Sequence, residues 1–165
     1  MQAAVNEQQI IIAAEITIES PDFGHLEPMV DATLRELQTV GIQQLPGTVL
    51  ADPGYWHKQQ MENVVSRGMP VLIPPDSGLR KTPRPGWDEG LYAFMRMVLS
   101  TDHGQSLYRR RMATIEPVFG QLKHNRRFHQ FLRRGRSAVR SEWRLEAATH
   151  NLLKLHNHQI ATTGA

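Results

Sequence analysis

Cysteine is absent from all 165 residues. That absence removes disulfide frameworks, thiolate metal sites and cysteine nucleophiles together, and it agrees with a cytoplasmic setting. Long apolar runs are also missing. The longest, Ile10 to Ala14, falls far short of the roughly 20 residues that a bilayer-spanning helix needs. The first residues, Met1-Gln2-Ala3-Ala4-Val5-Asn6-Glu7, have neither a basic lead nor an apolar stretch, so they do not read as a signal peptide. No internal repeat is visible. A soluble protein without membrane contact is expected.

What is present fits a globular chain long enough for one domain with a sizeable core: 40% hydrophobic residues and 21% charged. The net charge of +3 is unevenly spread. Residues 1–104 hold 7 Lys/Arg against 13 Asp/Glu, whereas residues 105–165 hold 12 against 3. An acidic first part joined to a basic last part, with clusters such as Arg109-Arg110-Arg111, points to a surface for polyanions, above all nucleic acid. A solvated helical face is the plainer alternative.

Hydrophobic patterning divides the chain into alternating elements. Residues 2–7 and 9–20 read as two strands of an antiparallel hairpin, turning at Asn6-Glu7-Gln8. A helix is expected over about 25–40, stopped at Gly41, and a short strand over 48–51, ending at Asp52-Pro53-Gly54. A second helix over 57–67 and a strand over 69–73 follow. The order is that of an α/β layer with helices covering a mixed sheet. Residues 76–88 are polar and proline-rich and read as a loop, in which Arg80, Lys81 and Arg84 either grip phosphates or are simply solvated. The remainder reads as helical: about 88–100, about 106–125 with a break near Pro117, and 137–158. The last helix is expected to be capped by Ser137 and to carry the apolar stripe Ala138, Leu145, Ala148, Leu152 and Leu155. Residues 161–165 read as a flexible tail.

Two acids stand out. Asp52 ends an apolar strand, and sites in open α/β sheets gather at carboxyl ends of strands. Asp-Pro-Gly also initiates turns without further purpose. Glu116 is the one acid between Gln105 and Ser141. It suits either a salt bridge to a neighbouring arginine or a metal whose charge it balances while the arginines hold phosphate.

The stretch from Tyr108 to Lys123, with Arg111, Glu116 and Lys123 in it, resembles the Tyr–Arg–Glu–Lys motif around the last acid of bacterial insertion-sequence DDE transposases. Six residues separate Glu116 from Lys123, as in the motif; four separate Arg111 from Glu116, one more than its commonest form. Arg111, three residues after Tyr108, is taken as the motif arginine. Asn125-Arg126-Arg127-Phe128 and the segment from Arg140 to Leu155 are similar to the C-terminal helices of these enzymes, and Ala51-Asp52-Pro53-Gly54-Tyr55 to their second-acid segment.

The resemblance implies an α/β, ribonuclease-H-like mixed sheet with flanking helices and a helical C-terminal part. Residues 1–160 would be a partial catalytic domain. It implies catalytic and metal-binding roles for Asp52 and Glu116, and a two-metal Mg²⁺ (or Mn²⁺) site in the intact family member. It implies DNA contacts from Tyr108, Arg111, Lys123, Arg126 and Arg127. The expected partners are DNA, both transposon ends and target, with self-association open. The family's first acid precedes the hairpin, and none of Glu7, Glu15, Glu19, Asp22 or Asp31 fits its segment. An N-terminally truncated, catalytically deficient fragment is therefore expected. The alternatives are a DNA-binding regulator of transposition without catalysis and an unrelated metal-dependent nuclease. His150, His156 and His158 read weakly as ligands, His57 as a helix-start residue and Trp143 as core.

Overall fold

The computed structural model describes residues 1–18, 22–76 and 87–163. The elements are β1 (Gln2–Val5), β2 (Ile11–Glu15), α1 (Leu26–Thr39), β3 (Val49–Leu50), a 3₁₀ turn (Pro53–Tyr55), α2 (Lys58–Ser66), β4 (Val71–Leu72), α3 (Leu91–Ser100), α4 (Asp102–Gly120), a wide π turn (Gln121–Asn125) and α5 (Arg136–Thr163). The chain is mixed α/β. Its described strands form two separate two-stranded sheets, β1–β2 and β3–β4, where the patterning predicts one mixed sheet. They belong to two compact units, Met1–Ile18 with Ala113–Ala165, and Glu19–Met112.

In the first unit β1 and β2 pair antiparallel, with a bulge between Ala4 and Val5. Asn6 builds the turn: its Oδ1 accepts from the Gln8 and Ile10 amides at 3.1 and 2.9 Å. Gln9 closes it at φ 63°, a left-handed conformation that costs a non-glycine residue about 1 kcal/mol. Contacts to two helices offset that cost. Gln9 Nε2 donates to the Ala113 carbonyl at 3.2 Å, its Oε1 accepts from Lys154 Nζ, and its carbonyl accepts from His150 Nε2 at 2.9 Å.

A two-stranded hairpin is marginal by itself, and α5 supplies what it lacks. The Trp143 indole N–H donates to the Gln2 carbonyl at 2.9 Å. Asn151 satisfies both main-chain groups of Ile11, accepting from its amide at 2.9 Å and donating to its carbonyl at 2.8 Å. Ile11, Ala14, Val118, Leu122, Trp143 and Ala147 form the core between them. Each fully buried large apolar side chain there contributes about 1.5–3 kcal/mol.

The face of α5 that meets the hairpin thus carries Trp143, Ala147, His150 and Asn151. The leucine stripe lies elsewhere on the helix: Leu145, Leu152 and Leu155 are 63%, 62% and 51% exposed. Ser137 is not the cap, because the helix already begins at Arg136. Gly135, at φ +88°, turns the chain into it, and the Gly135 carbonyl accepts the first helical bond from the Val139 amide at 3.0 Å. The helix also outlasts the expected end, continuing through Ala161 to Thr163. α4 is not interrupted at Pro117. Pro117 lies inside α4, where it removes a donor and leaves the Ala113 carbonyl without its helical partner. Gln9 fills that vacancy.

In the second unit β3 and β4 pair parallel, Val49 with Val71 and Leu50 with Leu72, joined through α2 as a βαβ crossover. His57 caps α2, its Nδ1 accepting from the Gln60 amide at 3.4 Å, the helix-start role its sequence suggests. Gly68, at φ +84°, carries the chain out of that helix. Gln60 reaches back to α1, accepting from the Glu27 amide at 3.2 Å and donating to the Gly24 carbonyl at 2.7 Å. The core includes Leu26, Val30, Trp56, Met61, Val64, Met69, Ile73 and Met95. Trp56, Trp87 and Tyr92 form an aromatic cluster, the Tyr92 ring centre 4.9 Å from Trp56 and 4.3 Å from Trp87 and the two indoles 6.0 Å apart.

Arg96, on α3, joins two distant points. Its Nε and Nη2 donate to Asp76 at 2.6 and 3.1 Å, and its Nη1 to the Trp87 carbonyl at 2.5 Å. Thr101 turns α3 into α4, its Oγ1 accepting from the Gly104 amide at 3.0 Å. Only glycine fits there, since a Cβ on residue 104 would lie 2.0 Å from the Val98 carbonyl oxygen. Arg80, Lys81 and Arg84 lie outside the described residues.

Candidate functional site

Asp52 stands two residues beyond β3, at the carboxyl end of the parallel pair. Its backbone is extended (φ −70°, ψ 157°), and its carbonyl accepts from the Tyr55 amide at 3.0 Å. The main chain alone therefore closes the Asp-Pro-Gly turn, and the carboxylate makes no capping bond. It pairs instead with Arg111 on α4. The turn-initiating reading thus leaves the side chain unexplained, whereas a partner 59 positions along the chain gives it a role.

Arg111 is the more buried member, its side chain 16% exposed against 48% for Asp52. Its guanidinium carbon lies 5.6 Å from the centre of the Tyr108 ring, one turn earlier on the same helix. The half-open carboxylate limits the ion pair to about 1 kcal/mol, so it orients the side chains more than it stabilises the unit. Asp22 approaches the same turn. A Cβ on Gly54 would lie 3.5 Å from the Asp22 Cβ and Oδ2 atoms.

The phenols report this charge arrangement. Burial pushes the Tyr55 hydroxyl well above its ordinary range, and the charges of Asp22 and Asp52 push it further, against the opposing effect of Arg111. Tyr108 is also raised, by burial first, with Arg111 lowering and Asp52 raising it. Two carboxylates, one guanidinium and two phenols thus share the end of β3. Asp22 is the member that the sequence reading set aside. Its only signal was its place in a loop before α1, and nothing local ties that loop to residue 54.

The other predicted site residues belong to the first unit. Glu116 is exposed and has no hydrogen bond or ion pair among the described residues, so the salt-bridge reading of it finds no partner. Lys123 is exposed, its Nζ 6.0 Å from the Phe119 ring centre. Arg126 is committed to α5: Nη1 donates to the Glu146 carbonyl at 2.9 Å, and Nη2 contacts the Glu146 carboxylate at 3.0 Å and the Thr149 hydroxyl. Arg127 is exposed at φ 55°. Glu142 holds the following loop, accepting from the Leu132 and Arg133 amides at 2.9 and 3.0 Å, and Arg133, Arg134 and Arg136 remain exposed along it.

Asp52 and Glu116, the two expected metal ligands, lie in different units. Among the described residues no three His, Cys, Asp or Glu side chains converge as a cation site. The oxygen donors are of the kind that Mg²⁺ prefers, but within either unit the set is incomplete. His150 is fully buried and donates to the Gln9 carbonyl, which gives it a structural role. His156 and His158 are exposed. No described helix is long and apolar enough to cross a membrane.

A family model described as "Transposase DDE domain" matches residues 80–156. The matched segment, just under half of the chain, contains Tyr108, Arg111, Glu116, Lys123, Arg126 and Arg127, and Asp52 precedes it. No curated protein and no solved structure gives a significant match.

Proposed function

We propose that the chain acts in DNA transposition, as part of the catalytic domain of an insertion-sequence DDE transposase. The observation that carries this reading is the family match over residues 80–156, which includes Tyr108, Arg111, Glu116 and Lys123; Glu116 and Lys123 are separated by six residues, as in the motif. In this reading residues 1–160 belong to a ribonuclease-H-like catalytic domain, and Asp52 and Glu116 are its second and third metal-binding acids. The position of Asp52 at the carboxyl end of a parallel strand, its turn closed without its side chain, supports that assignment.

A divalent metal, Mg²⁺ or Mn²⁺, would supply activation of the attacking hydroxyl and neutralisation of the leaving oxygen at phosphorus. The chain's own residues would divide the remaining tasks. Lys123 and Arg127, exposed and cationic, would take backbone phosphates. Tyr108 and Arg111 would hold DNA beside Asp52. Arg126, already bonded to Glu146 and Thr149, would hold the loop that presents its neighbour.

The test is cleavage of transposon-end DNA with Mn²⁺ or Mg²⁺, read beside DNA binding by fluorescence anisotropy. Cleavage by the chain alone is expected to be slight, since its metal-ligand set is incomplete among the described residues, and Glu116→Gln and Asp52→Asn are expected to abolish what there is with little change in DNA affinity. Cleavage that survives both substitutions would sink the reading.

A second reading rests on the Asp52–Arg111 ion pair and on the absence of a three-ligand group among the described residues. The chain would then bind DNA without cutting it, as a regulator of transposition. It predicts binding insensitive to EDTA and to Asp52→Ala, with no cleavage product under any metal.

A further inference from the structure

One loop of the first unit carries cations that no internal contact uses. Residues 126–135 join the wide π turn to α5. From Pro117 to Ser141 the chain holds seven Lys/Arg and no acid. Arg140 is spent on Glu15, and Arg126 on Glu146 and Thr149. Arg133, Arg134 and Arg136 are exposed. None of their guanidiniums has a hydrogen bond or ion pair among the described residues.

The loop is nevertheless held in place. Phe128 and Phe131 meet edge to face, ring centres 5.3 Å apart, and Phe128 lies 6.1 Å from the fully buried Trp143. Glu142, one residue before that tryptophan, fixes the outer part. Its Oε1 accepts from the Leu132 amide at 2.9 Å and its Oε2 from the Arg133 amide at 3.0 Å. Two successive amides on one carboxylate make a strong, charge-assisted clamp. The Leu132 side chain is 82% exposed, so burial there does not duplicate the clamp.

Charge alone does not account for this use of Glu142. A carboxylate bonded to the main chain of Arg133 has guanidiniums close at hand, and Coulomb attraction favours pairing with one of them. It takes main-chain donors instead and leaves the guanidiniums to solvent. An anion at that point also weakens the pull on a polyanion. The arrangement is consistent with a loop whose fixed path matters more to binding than the charge that fixes it, because a segment ordered beforehand loses less entropy when it binds.

We propose that Glu142 is a positioning residue for DNA, holding the loop so that Arg133 and Arg134 take backbone phosphates beyond those of Lys123 and Arg127. The inference rests on the DNA reading above and gives a role to a loop which that reading leaves without one.

Fluorescence anisotropy of the full chain with a labelled DNA duplex of arbitrary sequence, in EDTA and over a range of salt, tests it. Arg133→Gln together with Arg134→Gln is expected to reduce the slope of log affinity against log salt by about two. Glu142→Ala separates position from charge. Charge alone predicts tighter binding, since an anion is removed; positioning predicts a loss of about 5- to 10-fold. In the background of both arginine substitutions, Glu142→Ala is expected to change affinity little. An equal loss in both backgrounds would mark general damage to the fold and overturn the proposal. Exchange of the Leu132 and Arg133 amides, followed by NMR without DNA, is expected to quicken in Glu142→Ala, while the Ile11 amide, bonded to Asn151, stays slow. Tighter or unchanged binding by Glu142→Ala would also overturn it. If the two arginines leave the slope unchanged while Lys123→Gln lowers it, this inference falls and the DNA reading stands. A wild type that binds no duplex sinks both.

Discussion

Three residues carry consequences that can be measured one at a time. Gly104 accommodates the Val98 carbonyl where a Cβ would stand 2.0 Å away. Gly104→Ala must shift main chain, and is expected to cost about 1–3 kcal/mol in urea denaturation. Asp52 raises both nearby phenols. Asp52→Asn removes a negative charge and is expected to let Tyr55 and Tyr108 ionise at lower pH, read from the absorbance of phenolate during an alkaline titration. No change in either would mean that the turn and α4 do not meet as described. Glu15 is the titrating anchor of the hairpin. Burial opposes its ionisation, but hydrogen bonds from Arg140 and Arg144, with their charges, hold its carboxyl below the usual range. A depressed carboxyl stabilises the fold above its unfolded value, and that contribution fades as pH falls through the folded one. Glu15→Gln is therefore expected to cost about 1 kcal/mol at neutral pH, with both arginines half in water. The difference from wild type should vanish in acid; a constant difference across pH would rule out the ion pair as its source.

At the scale of elements, periodicity made most of the fold legible. α1, α2 and the short strands on either side of α2 fall within a few residues of their expected bounds, because each has one apolar face and a clear stop such as Gly41 or Gly68; the hairpin is present, but its second strand, Ile11–Glu15, is shorter than the expected 9–20, of which residues 19 and 20 lie outside the described residues. What the pattern could not reveal was which face of α5 packs. The hairpin presents main-chain donors and acceptors, so the helix meets it with Asn151, His150 and the Trp143 indole. The more apolar stripe is left outside. The site divides similarly. Glu116 and its basic neighbours form a contiguous segment and were readable, whereas the Asp52–Arg111 pair and the approach of Asp22 depend on tertiary contact. Pro117 adds another link between elements, since it frees the Ala113 carbonyl that Gln9 takes. Pro117→Ala restores a helical donor there. In a double-mutant cycle with Gln9→Ala, the two substitutions are expected to couple by at least about 0.5 kcal/mol. Strict additivity would show that the side chain of Gln9 does not depend on the proline.

For the molecule as a whole, charge separates what composition alone blurred. The acidic residues of the first two thirds are largely spent on internal contacts, such as Glu27 and Asp31 with Arg67, and Asp76 with Arg96. Many cations of the last third stay exposed. If they bind DNA, affinity falls linearly on a logarithmic salt scale, and Lys123→Gln is expected to reduce that slope by about one. A slope unchanged by the substitution would remove Lys123 from the interface. The Arg96 clamp has a different bearing. One guanidinium ties both Asp76 and the Trp87 carbonyl to α3, so a single substitution, Arg96→Ala, would release two separate points of the main chain from the same helix at once.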